Sequence, residues 1–339
     1  MTPPSSTPWL SLLIPAHNVA PYIEECLTSV FEAVDTGIEV CLCDDASTDH
    51  TLSVLQNYSQ QYPQRSIRIH HASTNQGISA TRNQLLKMAQ GQYVWFLDAD
   101  DKITPNAITK LKTIVQQHQP DIVACDFRVW RSHTRWKHKL RGELHKHTLA
   151  APAYRLLSQS RQTLIDLLLL GQSHIWSKIS KRSLWEHPAL RFPVGACYED
   201  LTVSPQLFLR AQSLYYVPEP WVWYRQRAGS ILATPNLQKT QDLSRALLPF
   251  CQNLKSSSWA QDEEVRFALA HAAAKSLVSC LRFLQRHKLA PEQQQLLRTQ
   301  FLDNFQNTSP LSLSELHQQY RKRGWWLRSF RLSRWASKP

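Results

Sequence analysis

Tyr93-Val94-Trp95-Phe96-Leu97-Asp98-Ala99-Asp100-Asp101 decides how the rest of this 339-residue chain is read. Five apolar or aromatic residues run directly into three carboxylates. The run is short, partly β-branched or aromatic, and preceded by Gly91, so it predicts a buried strand. Such a strand aims a knot of negative charge off its C-terminal end, and in open α/β sheets ligands bind at that edge. Carboxylates this close repel one another unless a cation sits among them. A hard divalent metal with oxygen ligands, sharing its coordination with a phosphate, is the natural occupant. Helix capping is the competing explanation, but Thr104-Pro105 already offers an N-cap and an N1 proline to the following helix.

The flanking sequence repeats the pattern. Trp9 to Ile14 is an apolar run closing at Pro15 and followed by the loop Ala16-His17-Asn18. From about Tyr22, Ile23, Leu27, Val30, Phe31 and Val34 keep helical spacing. Ile38 to Cys43 predicts a second strand, again ending in acids, Asp44-Asp45-Ala46-Ser47-Thr48-Asp49. A helix with Leu52, Leu55 and Tyr58 on one face follows. Ser66 to His70 predicts a third strand, then the turn Asn75-Gln76-Gly77 and a helix through Arg82-Asn83 to Ala89. Beyond the acidic knot come a helix from Pro105 (Ile108, Leu111, Val115) and a strand from Ile122 to Phe127. Strands alternating with helices predict an α/β fold with a doubly wound, Rossmann-like, mainly parallel sheet. Parallel topology brings the polar loops to one edge.

From Trp130 to Pro152 the chain turns basic, His-rich and aperiodic, as in a loop or insertion. Arg161 to Leu170 predicts a helix, residues 171–230 read as irregular and proline-punctuated, and polar amphipathic helices follow, notably Glu264 to Leu284. The expected division is 1–127 for the alternating strand-and-helix core, 128–235 for the less regular half that follows it, and 236–339 for a mostly α-helical extension.

Hydrophobic residues at 42% and charged residues at 19% mark a globular composition. No uncharged apolar stretch approaches the length of about 18 residues that suggests a membrane span, and Met1 to Pro8 lacks the pattern of a secretory leader. Seven cysteines lack zinc-type pairing; Cys41 and Cys43 alternate as on one face of a buried strand. A reducing cytoplasm is expected. The histidines (His17, His174 and those of 133–147) match no zinc spacing and are read as non-ligands.

Lys plus Arg exceed Asp plus Glu by 39 − 26 = 13. The excess concentrates in 128–147 and 321–338, patches that suit nucleic acid, anionic lipid or phosphorylated substrates. Nucleic-acid binding alone leaves three acidic strand ends unexplained, because acids repel phosphates unless a metal intervenes. A nucleotidyltransferase would want a glycine-rich, basic loop after its first strand, and none is there.

Pro15-Ala16-His17-Asn18, Asp44 to Asp49, Asn75 to Asn83 and Asp98-Ala99-Asp100-Asp101 together resemble the family 2 glycosyltransferases, inverting enzymes with a GT-A fold. The resemblance is dense from Leu10 to Asp126. It continues through Trp176-Ser177-Lys178, Tyr198-Glu199-Asp200-Leu201 and Tyr224-Arg225 to Gly229-Ser230. Ala46 stands where the family commonly has glycine, which argues against a left-handed backbone there. By this resemblance Pro15, Ala16 and Asn18 wrap the base of a nucleotide, and Asp44 or Asp45 accepts the N3–H of uracil. Arg82 donates to a base carbonyl, Asp100 holds ribose or metal, and Asp101 ligates the Mn²⁺ or Mg²⁺ that bridges the diphosphate. Arg225, Arg227 and Ser230 add donors to the diphosphate.

Asp200, with Glu199 beside it, matches the family's general base. It would take the proton of an acceptor hydroxyl that attacks the anomeric carbon opposite the leaving group. The implied reaction moves a sugar, as a hexosyltransferase does, from a nucleotide sugar, expected to be a UDP-sugar, to a glycan or lipid-linked acceptor in surface polysaccharide synthesis. The alternative is a catalytically inactive glycosyltransferase-like fold that binds nucleic acid or anionic lipid. Processive synthases of similar sequence add membrane spans and a Gln-x-x-Arg-Trp motif, whereas Arg331-Leu332-Ser333-Arg334-Trp335 has arginine in place of glutamine. The basic, tryptophan-bearing tail at 321–338 predicts docking on an anionic membrane surface, at the cytoplasmic face. Packing of those tryptophans on the protein's own surface is the competing reading.

Overall fold

The computed structural model describes residues 7–33, 36–131, 133, 135–158, 161–227, 236–287 and 289–336. Their strands are β1 (Leu10–Ala16), β2 (Ile38–Asp44), β3 (Ser66–His71), β4 (Tyr93–Phe96), β5 (Lys102–Ile103), β6 (Ile122–Trp130), β7 (Leu156–Ser158), β8 (Lys178–Lys181) and β9 (Ser213–Arg225). All join one sheet in the order β3-β2-β1-β4-β8-β6-β9-β5, with β7 on β9. The first four strands in this order run parallel, so their C-terminal ends share one edge. Ala16 stands opposite Asp44, and Asp44 opposite His71. β8 is antiparallel to both β4 and β6, while β6 and β9 are parallel again.

Helices α1 (Ala20–Ala33), α2 (Thr51–Gln61), α3 (Ile78–Met88) and α4 (Ala107–His118) cross between strands. β1 and β2 are buried along their whole length because helices cover both faces. Leu10, Leu12 and Ile14 join Ile23, Leu27 and Val30 of α1 in the main core, while α3 covers the other face of β1 and β2. Cys41 and Cys43 are buried free thiols, as their alternation predicts, and burial pushes the Cys43 thiol up to about 12. A short helix, α5 (Trp136–Leu140), interrupts the basic stretch.

One buried polar knot fixes where β4 begins. Glu39 accepts from Ser11 Oγ at 2.5 Å, Gln90 N at 2.6 Å and Gly91 N at 3.0 Å, and pairs with Arg68. A Cβ on Gly91 would lie 2.6 Å from both Ser11 N and Ser11 Oγ, so the backbone approaches too closely for any side chain. Gly91→Ala is expected to cost about 1–3 kcal/mol of stability by overpacking, read as a lower urea midpoint at unchanged slope. An unchanged midpoint would mean that the strands separate without penalty.

The irregular reading of 171–230 is corrected: this stretch contains β8, α7 (Glu199–Arg210) and the longest strand, β9. The prolines misled because they sit where the ladder is already broken. Asp126 pairs with Pro220 between two register shifts, so no strand hydrogen bond is sacrificed there. Thr104-Pro105 does not cap α4 either. Asn106 holds the cap position without a side-chain bond, and Thr104 N donates to Trp221 O of β9 at 2.9 Å.

The chain divides into two compact units that interleave in sequence. The sheet unit comprises Met1–Ser160, His174–Gly195 and Arg210–Ala228; the helical unit comprises Arg161–Ser173, Ala196–Leu209 and Gly229–Pro339. Within the latter, α6 (Arg161–Leu170), α7, α8 (Leu237–Arg245), α9 (Leu248–Leu254), α11 (Pro291–Thr308), α12 (Leu313–Lys322) and α13 (Trp326–Ala336) accompany the long α10 (Glu263–Arg286). Asp262 caps α10 by accepting from Glu264 N and Val265 N, and Arg161 of α6 grips the same carboxylate at 2.5 and 2.8 Å. α10 is long and apolar enough to cross a membrane, but 78% of its most apolar window is buried, as in a core helix.

The tail divides its aromatic residues. Trp325 packs on Phe267 and His271, and Leu332 is buried in the same core. Trp326, Leu327 and Phe330 stand 63%, 76% and 63% exposed.

Candidate active site

Three polar loops close on one another at the parallel edge. After β1 the chain turns at Asn18, which takes a left-handed φ of 50°. Asn18 N donates to Ser47 Oγ at 3.0 Å, and Asn18 Oδ1 accepts from Thr48 N at 2.8 Å. His17 Nδ1 lies 2.7 Å from Asp45 O, and Asn75 Nδ2 lies 2.9 Å from His17 Nε2. Pro15 and Ala16 are buried at the end of β1, with Ala16 O accepting from Asp45 N at 2.9 Å. The loop expected to wrap a base is thus held to the loops after β2 and β3.

Ala46 corrects an expectation: its φ of 53° is left-handed despite the missing glycine. Such a conformation costs an L-residue about 1–2 kcal/mol. It is held by Asp44 Oδ2, which accepts from Ser47 N at 3.1 Å across the turn.

The two acids of this loop do different work. Asp45 is buried and its carboxylate accepts from Gln76 N at 2.8 Å and Gly77 N at 2.7 Å, so it holds the turn that opens α3. Asp44 is also buried. His71 Nδ1 lies 2.8 Å from its Oδ2, while its Oδ1 has no hydrogen-bond partner among the described residues. Asp45→Ala would strand two backbone N–H groups and is expected to lower stability by about 1–3 kcal/mol. Denaturant unfolding checks this, and a variant as stable as the parent would show that the turn stands without it.

The acidic knot beyond β4 is meshed with arginines. Arg82, buried on α3 beneath the ring of Phe192, donates from Nη2 to Asp98 Oδ1 at 2.9 Å. This is the ion pair to the acidic loops that competes with its expected contact to a base. Arg227 Nε donates to Asp100 Oδ2 at 2.6 Å. Arg225 donates from its backbone N to Asp101 Oδ1 and from Nε to Asp100 O, both at 2.7 Å, and its guanidinium lies 3.7 Å from the centre of the Trp130 ring. The end of β9 is therefore fastened across the knot.

Asp101 is fully buried, and its Oδ2 has no hydrogen-bond partner among the described residues. Burial first, then the charges of Asp98 and Asp100, hold its carboxyl well above the usual carboxylate range. Burial and then the charge of Asp98 raise the Asp100 carboxyl as well, with Arg227 opposing. An orphaned buried oxygen among like charges, in an all-oxygen donor set, fits a hard divalent cation.

Beside the knot, His174 stacks on Trp176 with centroids 4.7 Å apart, and burial pushes its imidazole down to about 3. Lys178 is buried and donates from Nζ to His174 O at 2.6 Å and to Ser177 Oγ at 2.8 Å.

The sheet unit thus brings together Pro15, Ala16, Asn18, Asp44, Asp45, Arg82, Asp100, Asp101, Arg225 and Arg227. Glu199 and Asp200 belong to the helical unit, where they open α7 after Tyr198, whose φ is 62°. Ser230 lies outside the described residues. His71 and Glu25, the latter an acceptor from Arg225 Nη2 at 2.5 Å, were not anticipated. Only the three-dimensional register brings them to their partners.

The pattern of glycosyl transferase family 2 matches residues 11–184, half of the chain and all four loops. The chain belongs to this family. Among curated relatives, the uncharacterized glycosyltransferase EpsJ of Bacillus subtilis is 27% identical over 229 residues, covering 67% of this chain and 64% of EpsJ. The uncharacterized glycosyltransferase YibD of Escherichia coli is 26% identical over 221 residues, covering 63% of this chain and 60% of YibD. The chain therefore spans less than two thirds of either relative's length. Among solved structures, residues 1–349 of S. aureus TarS in complex with UDP-GlcNAc superpose with a TM-score of 0.72 at 18% identity, covering 96% of this chain and 89% of that one. That likeness fixes the GT-A fold, with its mostly parallel sheet and helical C-terminal region.

Proposed function

We propose that this family 2 member is a metal-dependent, inverting glycosyltransferase that takes its sugar from a UDP-sugar. The observation that carries the reading is Asp101 Oδ2, a buried carboxylate oxygen without a partner among the described residues, at the edge where three polar loops converge. Asp100 and Asp101 would hold Mn²⁺ or Mg²⁺. Bound there, the cation would neutralise charge on the leaving diphosphate. Arg225 and Arg227, now paired with acids, can exchange those partners for phosphate oxygens. Asp44 or Asp45 serves as acceptor for the uracil N3–H, and TarS, which holds UDP-GlcNAc, supports the choice of base. The role of general base falls to Asp200, on the family resemblance. A screen of nucleotide sugars for thermal stabilisation and slow hydrolysis tests the donor class. Stabilisation by UDP-sugars only in the presence of Mn²⁺ or Mg²⁺ is expected; indifference to all nucleotide sugars would contradict the reading.

The acceptor is proposed to be a hydroxyl of a glycan or lipid-linked precursor of a surface polysaccharide. Relatives include the E. coli chondroitin synthase, 38% identical over 102 residues but covering only 30% of this chain and 14% of that one. We place the protein in the cytoplasm, docked on an anionic membrane surface through α13. Trp326, Leu327 and Phe330 are exposed beside the exposed Arg328, Arg331 and Arg334, and each cation near an anionic surface contributes about 1 kcal/mol. Truncating the tail would cut into the core through Tyr320 and Leu332, so the test is the double substitution Trp326→Ser, Phe330→Ser. Co-sedimentation with phosphatidylserine-containing vesicles is expected to fall several-fold while the far-ultraviolet spectrum stays unchanged. Unaltered sedimentation would remove α13 from the membrane.

A further inference from the structure

The basic stretch after β6 holds a second cluster, outside the acidic edge. Asp126 lies on β6 and is fully buried. Its Oδ1 is fixed by two donors, Thr148 N at 2.8 Å and Tyr216 Oη at 2.7 Å. Its Oδ2 faces two imidazoles, His145 Nε2 and His147 Nδ1, each at 2.7 Å. These three ligand atoms lie within 4.8 Å of one another. The backbone explains the convergence. Lys146 pairs as an antiparallel bridge with Phe127, exchanging bonds of 2.7 and 3.2 Å. Residues two apart in an extended segment point the same way, so His145 and His147 both turn toward Asp126. Their side chains remain 41% and 63% exposed, leaving one side of the cluster open to water.

Two imidazoles and a carboxylate, with an open position, form the donor set of three-ligand sites for borderline divalent ions. The set differs in kind from the oxygen-only acidic edge, which suits Mg²⁺ or Mn²⁺. We propose that Asp126, His145 and His147 bind a divalent transition metal of the Zn²⁺ class, with water completing the coordination. On binding, each neutral imidazole carries its N–H on the ring nitrogen turned away from Oδ2, His145 on Nδ1 and His147 on Nε2, so that the lone pairs facing the carboxylate are free for the metal. Tyr216 and Thr148 orient the carboxylate from behind, as outer partners of metal ligands do. A metal here would tie the segment carrying Lys137, Lys139 and Arg141 to β6. No zinc spacing is visible in the sequence because the third ligand lies 19 and 21 positions from the histidines.

The test uses the full-length protein, stripped with chelator and titrated with Co²⁺ in the absence of nucleotide. Expected is one equivalent with the visible ligand-field bands of nitrogen-coordinated Co²⁺, displaced by Zn²⁺ but not by a large excess of Mg²⁺, which would compete only at the oxygen-only acidic edge. His147→Gln, at an exposed position that the fold tolerates, should weaken binding at least about tenfold. Tyr216→Phe should weaken it about 10–100-fold through the carboxylate it orients. Asp101→Asn should leave it unchanged, which separates this site from the acidic edge. No Co²⁺ uptake by the stripped protein, equal uptake by His147→Gln, or displacement by Mg²⁺ would each overturn the proposal.

Discussion

Asp101→Asn is expected to abolish metal-dependent UDP binding and glycosyl transfer while the chain remains folded. Asparagine keeps an acceptor for Arg225 N, the bond that joins the knot to β9. It removes the charge that a cation needs. The stability consequence has a definite sign. The folded-state pKa of Asp101 is raised above its ordinary value, by burial first and by Asp98 and Asp100 next. Between the ordinary and the raised value the folded chain therefore binds more protons than the unfolded one, and stability falls as pH rises through that window. Metal-free Asp101→Asn should escape this loss. Its melting temperature should exceed the parent's above the raised pKa, and the gap should close in acid. Thermal melts in chelator across pH measure it. A variant that melts below the parent throughout, or that still binds UDP in a metal-dependent way, would refute the assignment.

Asp200→Asn is expected to lower turnover by about 10²–10⁴-fold, the usual contribution of a positioned base, while the affinity for donor stays near that of the parent. The substitution preserves the start of α7, where Leu201 N and Thr202 N donate to Tyr198 O at 3.0 and 3.2 Å. Single-turnover rates and donor titration separate chemistry from binding. Near-parental rates would exclude Asp200 and pass the role to Glu199.

The parallel half of the sheet was legible because each strand is an apolar run of fitting length that ends in polar residues. Ile38–Asp44 and Tyr93–Phe96 show this most clearly. The end of β9 was legible only as a motif around Tyr224-Arg225. The strand leading to it was hidden by Pro218 and Pro220, which read as punctuation until their place at the break in the ladder with β6 is seen. Ala46 failed as a predictor of backbone shape because the hydrogen bond from Ser47 N to Asp44 imposes the turn that glycine would have offered freely. Within the site, residue types announced acids and arginines but not their partners. Nothing local to Arg82 specifies Asp98, and nothing local to Asp45 specifies the two N–H groups of Gln76 and Gly77. The tail mixed its signals because one helix uses Leu332 and Ser329 inward and Trp326 and Phe330 outward.

The most direct test of the central claim is calorimetric titration of UDP into the full-length chain, first with Mn²⁺ and then with chelator. Binding with Mn²⁺ is expected, with a large loss of affinity when the metal is removed and no metal-dependent component in Asp101→Asn. UDP affinity that is indifferent to the metal, or the same metal dependence in Asp101→Asn, would contradict it.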